Sequence, residues 1–571
     1  MKKILIVFCL CITGSIKVAA QNTADSLYPD SKNLPKEKLN DLFLLGKTWG
    51  FLKYFHPAVA SGKFDWDKEL MNFLPAYTAV HSRKERNDSL LSWINRLGDV
   101  PSKRAGNYDS IKDARLKPDF SWISSSNFSP ELTEKLRYIL QNRAQGDQYY
   151  IKFHSIEGLN IPEFLHENSY SKEPYPSAKL RLVALFRFWN IIEYWYPYKY
   201  DLPWNSILKE QIGLMLQAAD GKDYNKSIQR LNASLKDGHG FIRSRISQEM
   251  LGYYYMPLIF RFVENKLIVS SVTDDAAAGG IKQGAVVISI NTVPVKAIEK
   301  ERLPYIPAAT LAAARLDLAR ELNRTEDSTT VIRFQQDGIT KEVAVKNFYT
   351  KKAISPYTPD FTAQKDSALF VLPGNILYLN LGNLKGKDST LIRTGISHSD
   401  ALILDLRQNM AENGEAVNPF GIISAALKQG PSFNIFTTQQ PGFAGVFKFV
   451  DAGISPADSV VYHYKKNVVV LINEAVISVG ESMAMDFSTA YHAVLMGTAT
   501  SGTNGMNSFV MLPGNIATGF SGTGNYWPNR KNIQRKGIVP DIKVVPTIKG
   551  YKAGRDEILE KAIDYLAAKN K

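Results

Sequence analysis

The chain has 571 residues, 69 Lys and Arg against 55 Asp and Glu for a formal charge of +14, with 44% hydrophobic and 22% charged residues. That length exceeds one ordinary hydrophobic core and implies roughly three or four domains, and the composition is that of a soluble globular protein. The basic residues are interspersed with acids, which argues for weak attraction to anionic envelope surfaces and against nucleic-acid binding.

The first twenty residues stand apart from the fold. "MKK" supplies a positive n-region, "ILIVFCLCITGSI" an apolar h-region and "VAA" before Gln21 a small-residue cleavage site, so residues 1–20 resemble a secretory signal peptide. Loss of Lys2, Lys3 and Lys17 with this leader takes the formal charge from +14 to +11. Cys9 and Cys11, the two cysteines, both lie inside it, so the rest of the chain has no disulfide, thiol nucleophile or thiolate metal site. No later stretch is long and apolar enough to span a bilayer. The expectation is an exported protein, periplasmic or extracellular, without a transmembrane segment once the leader is removed.

Two segments then read as copies of each other: "LFLLGKTWGFLKYFHPAVASGKFDWDKEL" from Leu42 and "LVALFRFWNIIEYWYPYKYDLPWNSIL" from Leu182. In each a tryptophan, Trp49 or Trp189, precedes a proline, Pro57 or Pro197, with aromatics between and a second tryptophan, Trp66 or Trp204, after a loop. The repetition implies two related helical units, residues 21–150 and 151–245. Aromatics at helical spacing form cores, and His56 within such a cluster is read as structural.

Near Tyr253 the texture changes. "MPLIFRFVENKLIVSSVTDDAAAGGIKQGAVVISINTVPV" alternates as strands, with a small helix near "DDAAAGG" and a turn at Gln283-Gly284. This region, residues 246–348, resembles a PDZ domain of the circularly permuted kind. The resemblance implies an edge strand that accepts a peptide by strand addition, and "YYYMPLIF" stands where a carboxylate-holding loop would be. After the linker "TKKAISPYTPDFTAQKD" come "ILYLNL", "ALILDLR", "VVVLI" and "HAVLMG", alternating with helices. That is an α/β pattern over residues 349–571, in which sites form at the carboxyl ends of strands, and both "DLRQN" and "INEAVIS" begin at such ends.

Ser478 lies at the second of these ends, in "VVVLINEAVISVGESMAMDFSTA". Ser478 with Glu481 three residues on is a capping box at a helix start; a serine so placed also has its hydroxyl near the positive end of a helix dipole, where a nucleophile is served. Both roles stay open on spacing alone. Ser482, in "GESMA", partly matches G-x-S-x-G but falls inside the helix. No phosphate loop, metal-ligand cluster or glycosidase constellation stands out.

The order of helical region, PDZ-like module, "ALILDLRQN", "NEAVISVGESMA", "GTATSGTNG", "KGIVPDIKVVPT" and "GRDEILEKAIDYL" is similar to that of the S41 family of serine peptidases, which contains C-terminal processing peptidases and tricorn-like proteases. The resemblance implies a multidomain α/β fold: helical repeats, a PDZ-like β domain and an α/β (ClpP/crotonase-like) catalytic domain. The family pattern N-x-x-x-x-S-x-x-E places the nucleophile at Ser478, with Glu481 in support. "GTATSGTNG" offers Thr503 and Asn504 where one branch carries a lysine, which points to the branch that uses a histidine before the PDZ module. His239 in "LKDGHGFI" takes that place as general base and acid; Lys536 is an alternative base. Gly238 stands where the branch has a serine, and Gln534 where it has a glutamate that orients the histidine. The resemblance further puts the oxyanion donors at the amides of Val479 and Met410, in "DLRQNMAENGE", with Met410 and Ala411 replacing a glycine pair, and gives Asp405, Arg407 and Asn409 the task of shaping that loop. It implies a metal-independent peptidase, needing no cofactor, acting on peptide or protein substrates recognised near the carboxyl terminus. The alternative is a peptidase-fold protein that binds peptides or envelope polymers without cutting them.

Overall fold

The computed structural model describes residues 34–156, 158–350, 368–384, 388–408, 434–450 and 465–569. The expected leader, Asn409, Met410 and Ala411 lie outside the described residues.

The two sequence copies build a pair of crossed helices. In the first, α1 (Lys36–Phe55) is buried throughout its second half and stops where His56 turns extended before Pro57; α2 (Trp66–Thr78) starts after Asp65, whose carboxylate accepts the Lys68 amide. In the second, Ser177 caps α3 (Ala178–Trp195), and α4 (Trp204–Gln217) follows the proline loop. Each copy closes with the same device. The Trp49 and Trp66 indoles each donate to the other's carbonyl, at 3.1 and 3.0 Å, and so do Trp189 and Trp204, at 2.9 and 3.0 Å. The ring pairs stack at 6.4 and 6.1 Å. Reciprocal bonds satisfy both indole N–H groups inside an apolar core, where an orphan would cost about 1–3 kcal/mol.

Equivalent positions of the copies also meet across the helix crossing. Gly50 and Asn190, each directly after the first tryptophan of its copy, touch so closely that a Cβ on Gly50 would lie 1.8 Å from Asn190 Cγ. Asn190 Nδ2 donates to the Gly46 carbonyl at 2.9 Å. Such self-facing contacts relate α1 to α3 by an approximate two-fold. His56 is fully buried, its ring nitrogens make no hydrogen bond among the described residues, and burial depresses its pKa to about 4, as fits a structural residue.

Next comes α5 (Gly221–Ala233), capped by Asp220, which runs into the His239 loop. The β domain follows: β1 (Leu258–Val263), β2 (Lys266–Val272), β3 (Val286–Ile290), α6 (Leu311–Leu322), β4 (Thr329–Gln336) and β5 (Ile339–Lys346). Its sheet has the order β5-β4-β3-β2-β1, and α6 packs beside the edge strand β1. The helix expected at "DDAAAGG" is instead a run of turns, since Gly279 and Gly280 both adopt positive φ and end it. Tyr254–Tyr255, at the place expected for a carboxylate loop, is the middle strand of a small sheet between Arg324–Thr325 and Phe348–Tyr349.

The α/β domain comprises β6 (Leu369–Leu372), β7 (Ile376–Asn380), β8 (Ala401–Asp405), β9 (Asn467–Ile472), α7 (Val479–Tyr491), β10 (Val494–Gly497), the hairpin β11 (Asn507–Leu512) and β12 (Ile516–Ser521), β13 (Ile542–Lys543) and α8 (Glu557–Lys569). Sheet order is β6-β7-β8-β9-β10-β13, parallel from β7 onward. Burial along the whole of β7 and β8, whose residues are apolar up to Asn380 and Asp405 at their ends, reflects a sheet covered on both faces. Register pairs Asp405 with Leu471, so the carboxyl ends that carry "DLRQ" and the Ser478 turn lie side by side.

The hairpin leaves this domain and joins the helical one. Val510, Leu512, Ile516 and Phe520 belong to the core of the helical copies, and Tyr224 on α5 donates to the Pro513 carbonyl at 2.7 Å. The short strand Ile242–Arg243 pairs with β12.

Because Asn190 is buried and cannot yield, Gly50→Ala should destabilise the fold by about 1–3 kcal/mol through overpacking. Thermal unfolding would show a lower Tm, while Gly213→Ala, at a helical position of α4 where a Cβ meets only Gln217 Nε2 at 3.9 Å, serves as the uncrowded comparison.

Candidate active site

Ser478 is the N-cap residue of α7, yet its side chain makes no capping hydrogen bond. Its backbone sits at φ 57° and ψ −120°, a conformation that strains any residue with a Cβ by about 1–3 kcal/mol. The anticipated capping box is therefore not formed. Glu481 is engaged by the loop after β10 instead: its carboxylate takes the Thr500 hydroxyl, the Gly502 amide at 2.8 Å and the Thr503 amide at 3.0 Å. Burial pushes Glu481 up to about 8, against the pull of those donors. The Ser478 hydroxyl is left at a sharp strand-turn-helix junction, half-buried, beside the first helical amides. Val479, the first helical residue, is exposed, and its N–H is one of the donors that a helix start leaves without an intrahelical partner.

The turn before Ser478 is held on both sides. Asn473 accepts the Ala475 amide at 3.0 Å; Glu474 accepts Thr498 Oγ1 at 3.0 Å and forms a buried ion pair with Arg261 on β1. Burial opposes the Glu474 charge, but Arg261 and the hydrogen bonds outweigh it and hold its pKa low.

His239 comes to this turn from the far end of α5. Its loop is fixed by Asp237, which is fully buried and accepts the His239 amide at 3.0 Å, the Ser521 amide at 2.9 Å and the Ser521 hydroxyl at 3.0 Å. His239 Nδ1 lies 2.8 Å from Ser521 Oγ. A serine hydroxyl has one proton, and here it goes to Asp237, so Nδ1 must carry the ring proton and donate to Ser521. That leaves Nε2 as the basic nitrogen; it is buried and makes no hydrogen bond among the described residues. Burial lowers the His239 pKa from the usual imidazole value, with Asp237 pulling the other way.

The structure brings His239 and Ser478 segments together. Gly238 packs on Ile477: a Cβ there would stand 2.9 Å from Ile477 Cδ1 and 2.9 Å from Thr503 Oγ1. The expected place for a serine has no room for one, and the hydroxyl that meets His239 is supplied by Ser521 on β12. The assignment of Gln534 as orienting residue needs the same correction. Gln534 is buried and its Oε1 accepts the Asn504 amide at 3.4 Å, but no hydrogen bond joins it to His239. Ser482 is tied by Asn504 and Asn525, whose Nδ2 atoms lie 3.1 and 2.9 Å from its oxygen. Lys536 points to solvent.

Arg407 grips Asp405 through Nε and Nη2, at 2.9 and 2.6 Å, and Asp556 at 2.8 and 2.7 Å, while Tyr378 donates to Asp405 at 2.7 Å. Burial works against the guanidinium charge, and the two carboxylates outweigh it. This network ties the end of β8 to the start of α8. Among the described residues no group of three His, Cys, Asp or Glu side chains could hold a metal ion, and no helix is long and apolar enough to cross a membrane.

Residues 377–544 match the model of Peptidase family S41. The α/β domain belongs to peptidase family S41. Mature CPAF in complex with lactacystin is similar in fold, with a TM-score of 0.51 at 13% identity, over 68% of this chain and 98% of that one. A CPAF mutant gives 0.50 at 13% identity, over 66% and 95%. The photosystem II D1 C-terminal processing protease gives 0.35 at 15% identity, over 66% and 98%. No curated protein sequence matches the chain.

Asp237 and Ser521 are the site residues that the sequence did not single out for a role. The first stands in the turn "KDGHG", where a carboxylate two residues before a histidine was a visible hint. Ser521 ends a strand and carries no motif. If the relay orients His239, Ser521→Ala should lower kcat/KM of the site by on the order of 10–100-fold, less than the roughly 10²–10⁴-fold that general acid–base catalysis supplies in full, because the base itself is retained. Gln534→Ala should cost much less, and steady-state kinetics of the two variants decide between them.

Proposed function

We propose that this S41 peptidase hydrolyses peptide bonds through Ser478 and His239, with Ser521 and Asp237 orienting the imidazole. The observation that carries the reading is the chain of bonds from Asp237 through Ser521 to His239 Nδ1, which leaves a buried, basic Nε2 on a loop that packs, through Gly238, on Ile477 of the strained Ser478 turn. A serine hydroxyl is a weak nucleophile until a base takes its proton. Nε2 takes it as Oγ bonds to the scissile carbonyl carbon, and the carbonyl oxygen becomes an oxyanion that the Val479 amide stabilises at the helix start. The imidazolium then gives the same proton to the leaving amine as the C–N bond breaks. Water, deprotonated by Nε2, attacks the acyl-enzyme; the proton returns to Ser478 and the new carboxyl terminus leaves. Asp237 stabilises the imidazolium through the Ser521 hydroxyl, without becoming protonated itself.

The substrate class is peptide segments near exposed or carboxyl-terminal ends. In this reading the β domain acts as a PDZ-like module, its edge strand β1 open to strand addition, with Arg261 connecting that strand to the Ser478 turn. Residues 1–20 direct export, which puts the activity in the periplasm or outside the cell.

Incubating the purified protein with a mixed peptide pool should generate new termini that vanish in Ser478→Ala. Cleavage that survives this substitution excludes the nucleophile; retained peptide binding without any cleavage by the wild type means a recognition protein. The pH profile tests the base. Only neutral imidazole accepts the proton, and a lowered pKa keeps His239 neutral to lower pH, so kcat/KM should stay flat down through about pH 6.5, the ordinary imidazole value, and fall only below it.

A further inference from the structure

Base and nucleophile come from segments far apart in sequence, and something must set their spacing. Thr503 occupies that position. It is fully buried in the loop "GTATSGTNG", and each of its polar groups is spent on a different part of the site. Its hydroxyl oxygen accepts the Gly238 amide at 2.8 Å, one residue before the base. Its carbonyl accepts the Ser478 amide at 2.9 Å. Its own amide donates to Glu481 on α7 at 3.0 Å.

We infer that Thr503 is the positioning residue that sets the register between His239 and Ser478, a role that rests on the peptidase reading given above. The geometry leaves little slack. The Gly238 amide is anchored only a residue away from the ring, and the Ser478 amide belongs to the nucleophile itself, so a hydrogen-bonded path from one to the other runs through a single threonine. Gly238 must lack a side chain for this approach, since a Cβ would stand 2.9 Å from the threonine hydroxyl and 2.9 Å from Ile477 Cδ1. Glu481 completes the arrangement from the third side: three hydrogen bonds to the Thr500–Thr503 segment keep that loop from shifting away from α7. Thr503 touches neither the reacting atoms nor solvent, so its effect on catalysis is through placement alone.

The substitution that isolates this is Thr503→Val, which keeps shape and removes the acceptor. A displacement near 1 Å of a catalytic group costs on the order of 100-fold, so kcat should drop by about 10–100-fold while KM for a fluorogenic peptide taken from the cleaved pool changes little. Labelling of Ser478 by a fluorophosphonate should slow in parallel, and Thr503→Ser, which restores the oxygen, should recover most of both rates. A merely structural role would lower Tm and leave these rates per folded molecule unchanged. Where Thr503→Val does not fold, Gly238→Ala provides the same test from the other side, by pressing a methyl against Thr503 and Ile477. Wild-type kcat in either variant, or a Thr503→Ser as slow as Thr503→Val, overturns the inference. Cleavage that persists in Ser478→Ala overturns the peptidase reading beneath it; cleavage lost there but intact in Thr503→Val removes the positioning role alone.

Discussion

The arrangement of this molecule depends on one buried carboxylate. Asp237 receives the backbone amides of His239 and Ser521 and the Ser521 hydroxyl, and so joins a loop of the helical half to a strand of the S41 domain. A carboxylate removed from water is tolerated only when it is well hydrogen-bonded, and these three donors occupy most of its roughly four acceptor sites. The same bonds fix which nitrogen of His239 carries the proton. Structure and chemistry are therefore set by one set of contacts: the group that seals the domain junction also decides the imidazole tautomer.

Around that junction the protein places rigid supports where the backbone is under strain. Ser478 holds a conformation that an isolated turn would leave. Asn473, Glu474 with Arg261 and Thr498, and Glu481 with its three donors hold the segments on either side of it. Breaking a buried ion pair such as Arg261–Glu474 by removing one partner leaves an uncompensated charge, at a cost of about 3–5 kcal/mol, so the turn is held firmly. The Arg407 network does the same for the end of β8. The wide helical scaffold, with its paired tryptophans and approximate two-fold, contributes the apolar core in which the β11–β12 hairpin is embedded. Without that embedding Ser521 would have no reason to meet His239.

Several features were legible in the chain itself. The strands β7 to β10 are continuous apolar runs long enough to be recognised, and the helical repeat shows in its tryptophan and proline spacing, because both patterns come from local periodicity and burial. Ser478 was legible as a candidate because a strand end followed by a helix start is a local event. The capping box misled for a related reason: spacing says which groups can reach the helix start, but Glu481 met better donors in the Thr500–Thr503 loop, brought by tertiary packing. The helix anticipated at "DDAAAGG" failed locally, since two glycines at positive φ outweigh the alanines.

The relay was not legible. Gln534 was chosen for its distance from a motif, whereas the hydroxyl beside His239 comes from the end of β12, whose position follows from pairing with Ile242–Arg243 and from the core of the helical copies. What the sequence determined alone was the inventory: helical copies, a β module, an α/β domain with a serine at a strand-to-helix junction, and a histidine in an Asp-Gly turn. What the tertiary structure decided was which of these meet, and through which atoms. Periodicity and capping act within a few residues, while the hydrogen bonds from Asp237 and His239 to Ser521 and from Gly238 to Thr503 exist only after segments hundreds of positions apart have been packed into one interior.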